Sequence, residues 1–246
     1  MKCSVIVAVL NSHRVVVRQL RHWKKMHLPN EVEFILVDDG SNPPLSHENC
    51  GLRNLKILYT NDKRPWTQGL ARNMGAKEAK GEFLFFTDID HIITKEAIDA
   101  VLSFDKDKMV FRRLFGILDV HGNIISDRQK MIEFGLNPVR RHGGLHGNTY
   151  AIRKEIFWRI GGYDRRYCND DSPDGGFHRG GKTMSEERQF NIKWYRLERR
   201  GRVIQQVVGP DIYVYPVSKF RLDGNNNPFN LFHGLSLEQV PQPMKE

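Results

Sequence analysis

The feature that most constrains this 246-residue chain is the stretch GEFLFFTDIDH at 81–91. Four consecutive apolar residues, Phe83, Leu84, Phe85 and Phe86, suit a short strand covered on both faces, as in a parallel sheet packed between helices. The run ends in Asp88-Ile89-Asp90, and the carboxyl edge of such a sheet is where ligands sit. Two carboxylates with one residue between them suit a hard divalent cation, which takes oxygen ligands and shares them with substrate phosphates. An acidic turn that merely caps a strand would look the same in isolation, so the flanking pattern has to decide. His91 adjoins the pair, and in an extended segment its side chain would point away from it.

The pattern before that stretch alternates strand and helix. Residues 3–10 read as a buried first strand. Asn11-Ser12-His13 offers an N-cap, and Val16, Leu20 and Trp23 then recur at helical spacing through Met26. Val32 to Val37 is a second strand closed by Asp38-Asp39-Gly40-Ser41, which makes a βαβ unit with a parallel pair. Leu55 to Tyr59 is a third strand, 60–67 a polar loop, and Gln68 to Lys80 a helix that leads into the acidic strand.

Beyond it the sequence predicts a helix over 94–103, a strand over 108–113 and a loop-rich segment over 120–141. A strand over 147–152 and a short helix over 154–160 come next. CNDDSPDGGFHRGGKT at 168–183 is polar and Gly-rich and reads as a mobile loop, a lid or an insertion. A helix over 185–199, late strands over 203–208 and 212–215, and an irregular tail complete the chain.

Composition narrows the class. The hydrophobic share of 39% supports a sizeable core and argues against a disordered chain. No run of about 18 apolar residues suggests a membrane span. Cys3, Cys50 and Cys168 are too few and too scattered for a disulfide framework or a zinc site, so a reducing, cytoplasmic setting is expected. The net charge is +9, and residues 139–202 hold 15 Lys or Arg against 8 Asp or Glu. That stretch would face an acidic partner such as nucleotide phosphates, an anionic membrane or glycan surface, or nucleic acid, unless it is ordinary solubility charge. No basic-aromatic repeat or nucleic-acid motif accompanies it.

Taken in order, several pieces resemble the family 2 glycosyltransferases of the GT-A fold. They are VIVAVLN at 5–11, LVDDGS at 36–41, ARNMGAKEAKGEFLFFTDID at 71–90 and RKEIFWRIGGYD at 153–164, followed by the acidic pair Glu186-Glu187. The resemblance implies an α/β GT-A domain over 1–246, with a mostly parallel central sheet flanked by helices. About 1–105 would form the nucleotide-sugar half, and about 106–246 an acceptor-binding half with a C-terminal tail. It further implies transfer of a sugar from a nucleotide-sugar, a UDP-sugar first, with Mn²⁺ or Mg²⁺ as cofactor. The acceptor would be a glycan, a lipid-linked saccharide or another hydroxyl compound, with a hydroxymethylated DNA base as the alternative. Peripheral membrane contact fits the same reading.

Residue by residue, the resemblance assigns donor binding to Val9, Asn11, Asp39, Arg72 and Asp88, and the metal to Asp90, Asp88 and the late His233. Asp39 could instead close a turn, and Arg72 could be a solvated helical arginine. His142 and His146 are weaker candidates that would line an acceptor site. An inverting transfer needs a general base. The resemblance places it on the helix after the GGYD segment, at Glu187 and then Glu186. Here the chain departs from the family's usual Glu-Asp pair and carries a longer loop, so Asp170 or Asp171 could take that role, and a retaining outcome stays open.

Overall fold

The computed structural model describes residues 1–46, 51–62, 67–133, 144–164, 177–179, 182–184, 186–200 and 205–215. Cys3–Val9 (β1), Val32–Asp38 (β2), Leu55–Tyr59 (β3) and Phe83–Thr87 (β4) pair in parallel in the order β3-β2-β1-β4. β1, β2 and β4 are buried at every position, which is why each reads as a mostly apolar run rather than an alternation; within them the polar Ser4 and Glu33 hydrogen-bond to each other at 2.6 Å. Beyond β4 lies the antiparallel strand Leu145–Arg153 (β9), then Lys108–Phe115 (β6), Ile212–Val214 (β13) and His91–Ile92 (β5). Gln206–Val208 (β12) also pairs with β6, in parallel. The sheet is therefore mostly parallel, as the sequence predicts.

Helices cover both faces. On one face His13–Lys25 (α1) and Lys95–Leu102 (α3) bury Val15, Val16, Leu20, Trp23, Ile98 and Val101 in one core. The small antiparallel hairpin of Ile117–Leu118 (β7) and Ile124–Ile125 (β8) packs into the same core. On the other face Gln68–Glu78 (α2), Lys154–Arg159 (α5) and Glu186–Arg199 (α6) bury Ala71, Ala76, Ile156, Phe157, Phe190 and Trp194. The result is the three-layer arrangement expected of an α/β domain.

The structure refines three readings. The segment from 120 is not uniformly loop: β8 and the short helix Arg128–Glu133 (α4) form within it, from residues whose apolar content is too sparse to announce either. Within the Gly-rich stretch, Phe177–Arg179 (β10) and Lys182–Met184 (β11) form an antiparallel hairpin, and the rest of that stretch lies outside the described residues. Of the late strand expected over 203–208, Gln206–Val208 forms, and 203–204 lie outside the described residues. Among the described residues no helix is long and apolar enough to cross a membrane.

What positions the site is the order β3-β2-β1-β4. The chain leaves β1 to one side for β2 and β3, then returns to its other side for β4. This creates a switch point, and the crevice outside the carboxyl ends of β1 and β4 is the place such sheets use for ligands. α2 roofs this region because Gly75 lets it approach closely. A Cβ there would lie 2.5 Å from Ile6 Cγ2 and 3.2 Å from Val37 Cγ2. Gly75→Ala gains about 1 kcal/mol of helix propensity but forces α2 off β1. We therefore expect a net destabilisation of about 1–2 kcal/mol in urea unfolding; a stabilised variant would contradict the tight seating.

Candidate active site

β4 does not end in an extended segment. The His91 N–H donates to the Asp88 carbonyl at 3.1 Å, so 88–91 closes as a turn and folds its side chains together. Asp88, Asp90 and His91 each offer a ligand atom, and these atoms all lie within 4.8 Å of one another. The expectation that His91 points away is therefore wrong: it assumed strand geometry where the chain bends.

The turn is held through its carbonyls as well. Gln19, buried on α1, donates its Nε2 to the carbonyls of Ile89 (3.0 Å) and His91 (2.8 Å). The Tyr215 N–H donates to the Asp90 carbonyl at 3.1 Å. Every carbonyl from Asp88 to His91 thus has a donor, which satisfies the buried backbone of an irregular segment.

Asp88 is tied down on both oxygens. Oδ1 accepts from Gln68 Nε2 at 2.9 Å and from Arg72 Nη2, while Oδ2 accepts from Asn148 Nδ2 at 2.8 Å. Arg72 is not a solvated helical arginine; it is 0% exposed. Its Nη1 donates to the Tyr163 hydroxyl at 3.3 Å, and its guanidinium lies 5.4 Å from the centre of the Tyr163 ring. Asp90 differs: among the described residues no side chain donates a hydrogen bond to it. Its side chain keeps 23% exposure. Burial and the neighbouring Asp88 carboxylate both push its pKa upward. A carboxylate raised in this way is relieved by a cation. Burial, with help from the Arg72 and Arg113 charges and against Asp88, lowers the His91 pKa to about 4, so the imidazole is neutral at pH 7, the form that ligates metal. Two carboxylates and a neutral imidazole are a donor set that fits a divalent cation.

The neighbouring strand ends are linked to one another. Asp39 is buried, and its Oδ1 accepts from Thr60 Oγ1 at 3.1 Å and Thr67 Oγ1 at 2.5 Å. Burial is the largest influence on Asp39 and raises its pKa; the two threonine hydrogen bonds oppose it. The turn-closing role belongs to its neighbour: Asp38 accepts from the Ser41 and Leu45 N–H groups at 2.8 and 2.7 Å. Val9 O accepts from the Asp39 N–H at 2.8 Å. Asn11 ties the end of β1 to the next loop through its own N–H to Ser41 Oγ (2.9 Å) and its Oδ1 from the Asn42 N–H (2.8 Å). Val9, Asn11 and Asp39 therefore lie along one sheet edge, with the Asp88–His91 turn across the switch point.

Glu186 and Glu187 head α6, as the helix expected from 185 requires. Asp170, Asp171, His142 and His233 lie outside the described residues. Gln19, Gln68, Asn148 and Thr149 are site residues that the sequence reading missed. Asn148 and Thr149 reach the turn because β9 changes register against β6 between Val110 and Arg112, and such irregularities re-aim side chains near active sites. No sequence motif marks that shift.

Residues 4–113 match the model of a family described as glycosyltransferase like family 2. Over 110 residues the chain is 36% identical to the poly(ribitol-phosphate) beta-N-acetylglucosaminyltransferase TarS of Staphylococcus aureus, covering 42% of this chain and 19% of TarS. It is 32% identical over 110 residues to the glycosyltransferase GlyG of Streptococcus pneumoniae, covering 43% and 35%. The chain thus spans about a fifth to a third of these relatives. Its fold superposes on the structure of TarS 1–349 in complex with UDP-GlcNAc with a TM-score of 0.53 and 20% identity, over 87% of this chain and 58% of that one. A mannosyltransferase of Pyrobaculum calidifontis in complex with GDP-Man and Mn²⁺ gives 0.51 at 13% identity, over 97% and 69%. In sequence, residues 4–113 are similar to the glycosyltransferases of family 2, and the fold over most of the chain is that of the GT-A enzyme TarS.

The matched segment carries every GT-A strand end described above, from Val9 to His91, but stops short of α6. Within it the Arg72–Asp88 pair makes a sharp test. Arg72→Met should destabilise the protein by about 3 kcal/mol, because it removes the charge partner of the half-buried Asp88 carboxylate. Arg72→Met with Asp88→Asn should cost less than the two singles combined by at least about 1 kcal/mol in a denaturation cycle. Simple additivity would show that the two groups are not coupled.

Proposed function

We propose that the chain is a metal-dependent glycosyltransferase that moves a sugar, with inversion, from a nucleotide-sugar to a hydroxyl acceptor. The observation that carries this reading is the Asp88–Asp90–His91 turn at the switch point of a GT-A sheet, facing the Val9, Asn11 and Asp39 edge. UDP-GlcNAc bound to TarS makes a UDP-sugar the first donor to try, and the mannosyltransferase complex makes Mn²⁺ the first cation. About 1–105 form the donor half in this reading, and 106–246 the acceptor half.

Asp39 receives the base or ribose, with Val9 and Asn11 shaping the edge beside it. Asp90, with Asp88 behind it, holds the cation, and His233 is the candidate to complete the shell from the tail. When bound, the cation neutralises charge gathering on the leaving diphosphate. Arg72 fixes Asp88 and adds positive potential on the same side. Glu187 takes the acceptor hydroxyl proton, with Glu186, Asp170 and Asp171 as alternative bases. The acceptor is a glycan, a lipid-linked saccharide or another polyhydroxyl compound; TarS acts on a poly(ribitol-phosphate) by name. The excess of basic residues over 139–202 would suit an acceptor that carries phosphate.

A donor panel that monitors UDP, GDP and CMP release with Mn²⁺, Mg²⁺ or EDTA tests the reading. UDP release that needs a divalent cation is expected; transfer unaffected by EDTA would overturn metal dependence. Asp90→Ala should lower turnover by about 10²-fold or more while keeping the thermal midpoint, and near-normal turnover would remove Asp90 from the site. Glu187→Gln should leave donor binding in calorimetry intact and slow transfer by about 10²- to 10⁴-fold. Normal transfer with a dead Asp170→Asn or Asp171→Asn would relocate the base.

A further inference from the structure

His91 is built into the turn more firmly than packing requires. It is 3% exposed. Its Nδ1 lies 2.6 Å from Thr149 Oγ1, which in turn lies 3.2 Å from Thr87 Oγ1. Its Nε2 faces the carboxylates, 3.7 Å from Asp88 Oδ2 and 3.9 Å from Asp90 Oδ1. Its carbonyl is held by Gln19 at 2.8 Å, and its backbone pairs with Val214 in the sheet.

A neutral imidazole carries its proton on one nitrogen, and the partner of that nitrogen decides which. An Nδ1–H that donates to Thr149, with the Thr149 hydroxyl passing on to Thr87, makes a continuous donor chain and turns the Nε2 lone pair toward the two carboxylates. The opposite tautomer would turn an N–H rather than a lone pair toward the two carboxylates, whose oxygens lie 3.7 and 3.9 Å from Nε2.

We infer that His91 is itself a metal ligand through Nε2, supplied by the acidic turn, and that Thr149 is the positioning residue that fixes its tautomer. This rests on the reading that a cation binds at this turn. Histidines that ligate metal commonly donate their other ring N–H to such a partner, and loss of the partner weakens metal binding by about 10- to 100-fold. An imidazole beside two carboxylates also shifts the preference from Mg²⁺ toward Mn²⁺ and its transition-metal neighbours. The inference gives the turn a nitrogen ligand independent of any residue in the tail.

Two measurements test it. In the wild-type protein without metal, long-range ¹H–¹⁵N correlation spectra should show His91 as the Nδ1–H tautomer at pH 7. An Nε2–H tautomer would overturn the assignment, and this readout depends on no variant. Mn²⁺ affinity is then measured by electron paramagnetic resonance, with and without UDP, alongside thermal midpoints. Thr149→Val should weaken Mn²⁺ by about 10-fold or more and narrow the preference over Mg²⁺, whereas Thr149→Ser should bind as wild type. His91→Gln should weaken Mn²⁺ more than Mg²⁺. If Asp90→Asn weakens Mn²⁺ but Thr149→Val and His91→Gln do not, the inference fails while the site stands. If Asp90→Asn has no effect either, no cation binds at this turn, and both readings fall.

Discussion

A buried guanidinium organises this structure. Arg72 has no exposed surface, and a charge in that position is tolerable only if it is matched and hydrogen-bonded. Asp88 supplies the match. Tyr163 and its hydroxyl partner Tyr150, 2.7 Å away, supply polar contact on the far side. The next residue on the same helix completes the junction: Asn73 donates to the Tyr163 carbonyl at 2.9 Å and accepts from its N–H at 3.0 Å. Gly162 sits at φ +58°, where a Cβ would come within 2.7 Å of Asn73 Oδ1. One turn of α2 therefore locks the end of β4, the irregular part of β9 and the Gly-Gly-Tyr-Asp segment into a single arrangement.

The same matching separates the two aspartates. Arg72, Gln68 and Asn148 answer Asp88, so its geometry is set before any ligand arrives. Asp90 has no comparable donor among the described residues, and burial, with the Asp88 carboxylate beside it, drives its pKa up. A site in which one carboxylate is fixed and the next is left to a cation is preorganised in the sense that catalysis requires. The polar face of α1 supports it from the other layer. Gln19 clamps the turn, and His22 contacts the Ile93 and Gly122 carbonyls at 2.9 and 3.1 Å. α1 is thus more than an apolar cover: it satisfies backbone that the sheet leaves open.

Much of this was legible in the residues. β1, β2 and β4 are mostly apolar because both of their faces are covered, and the carboxylates at the ends of β2 and β4 mark the ligand edge. Arg72 could be placed on its helix, but its burial could not be read, since nothing local distinguishes a buried arginine from a solvated one. His91 was misjudged because the strand was extended one turn too far. Asn148 and Thr149 were invisible for a different reason. They reach the site through a register shift between β6 and β9, whose partners lie about 40 residues apart in sequence, and pairings at that distance leave no local periodicity. Gln19 was hidden in a helix whose Val16, Leu20 and Trp23 already explained its apolar face.

The central claim is that a divalent cation sits at the Asp88–His91 turn of a GT-A crevice. Crystals grown with UDP and Mn²⁺, with diffraction recorded on both sides of the manganese absorption edge, would locate the ion directly. The account requires one anomalous peak within coordination distance of the Asp90 carboxylate and His91 Nε2, with the UDP diphosphate beside it and its base at the Asp39 edge. A peak elsewhere, or UDP bound in the crevice with no peak at the turn, would contradict it.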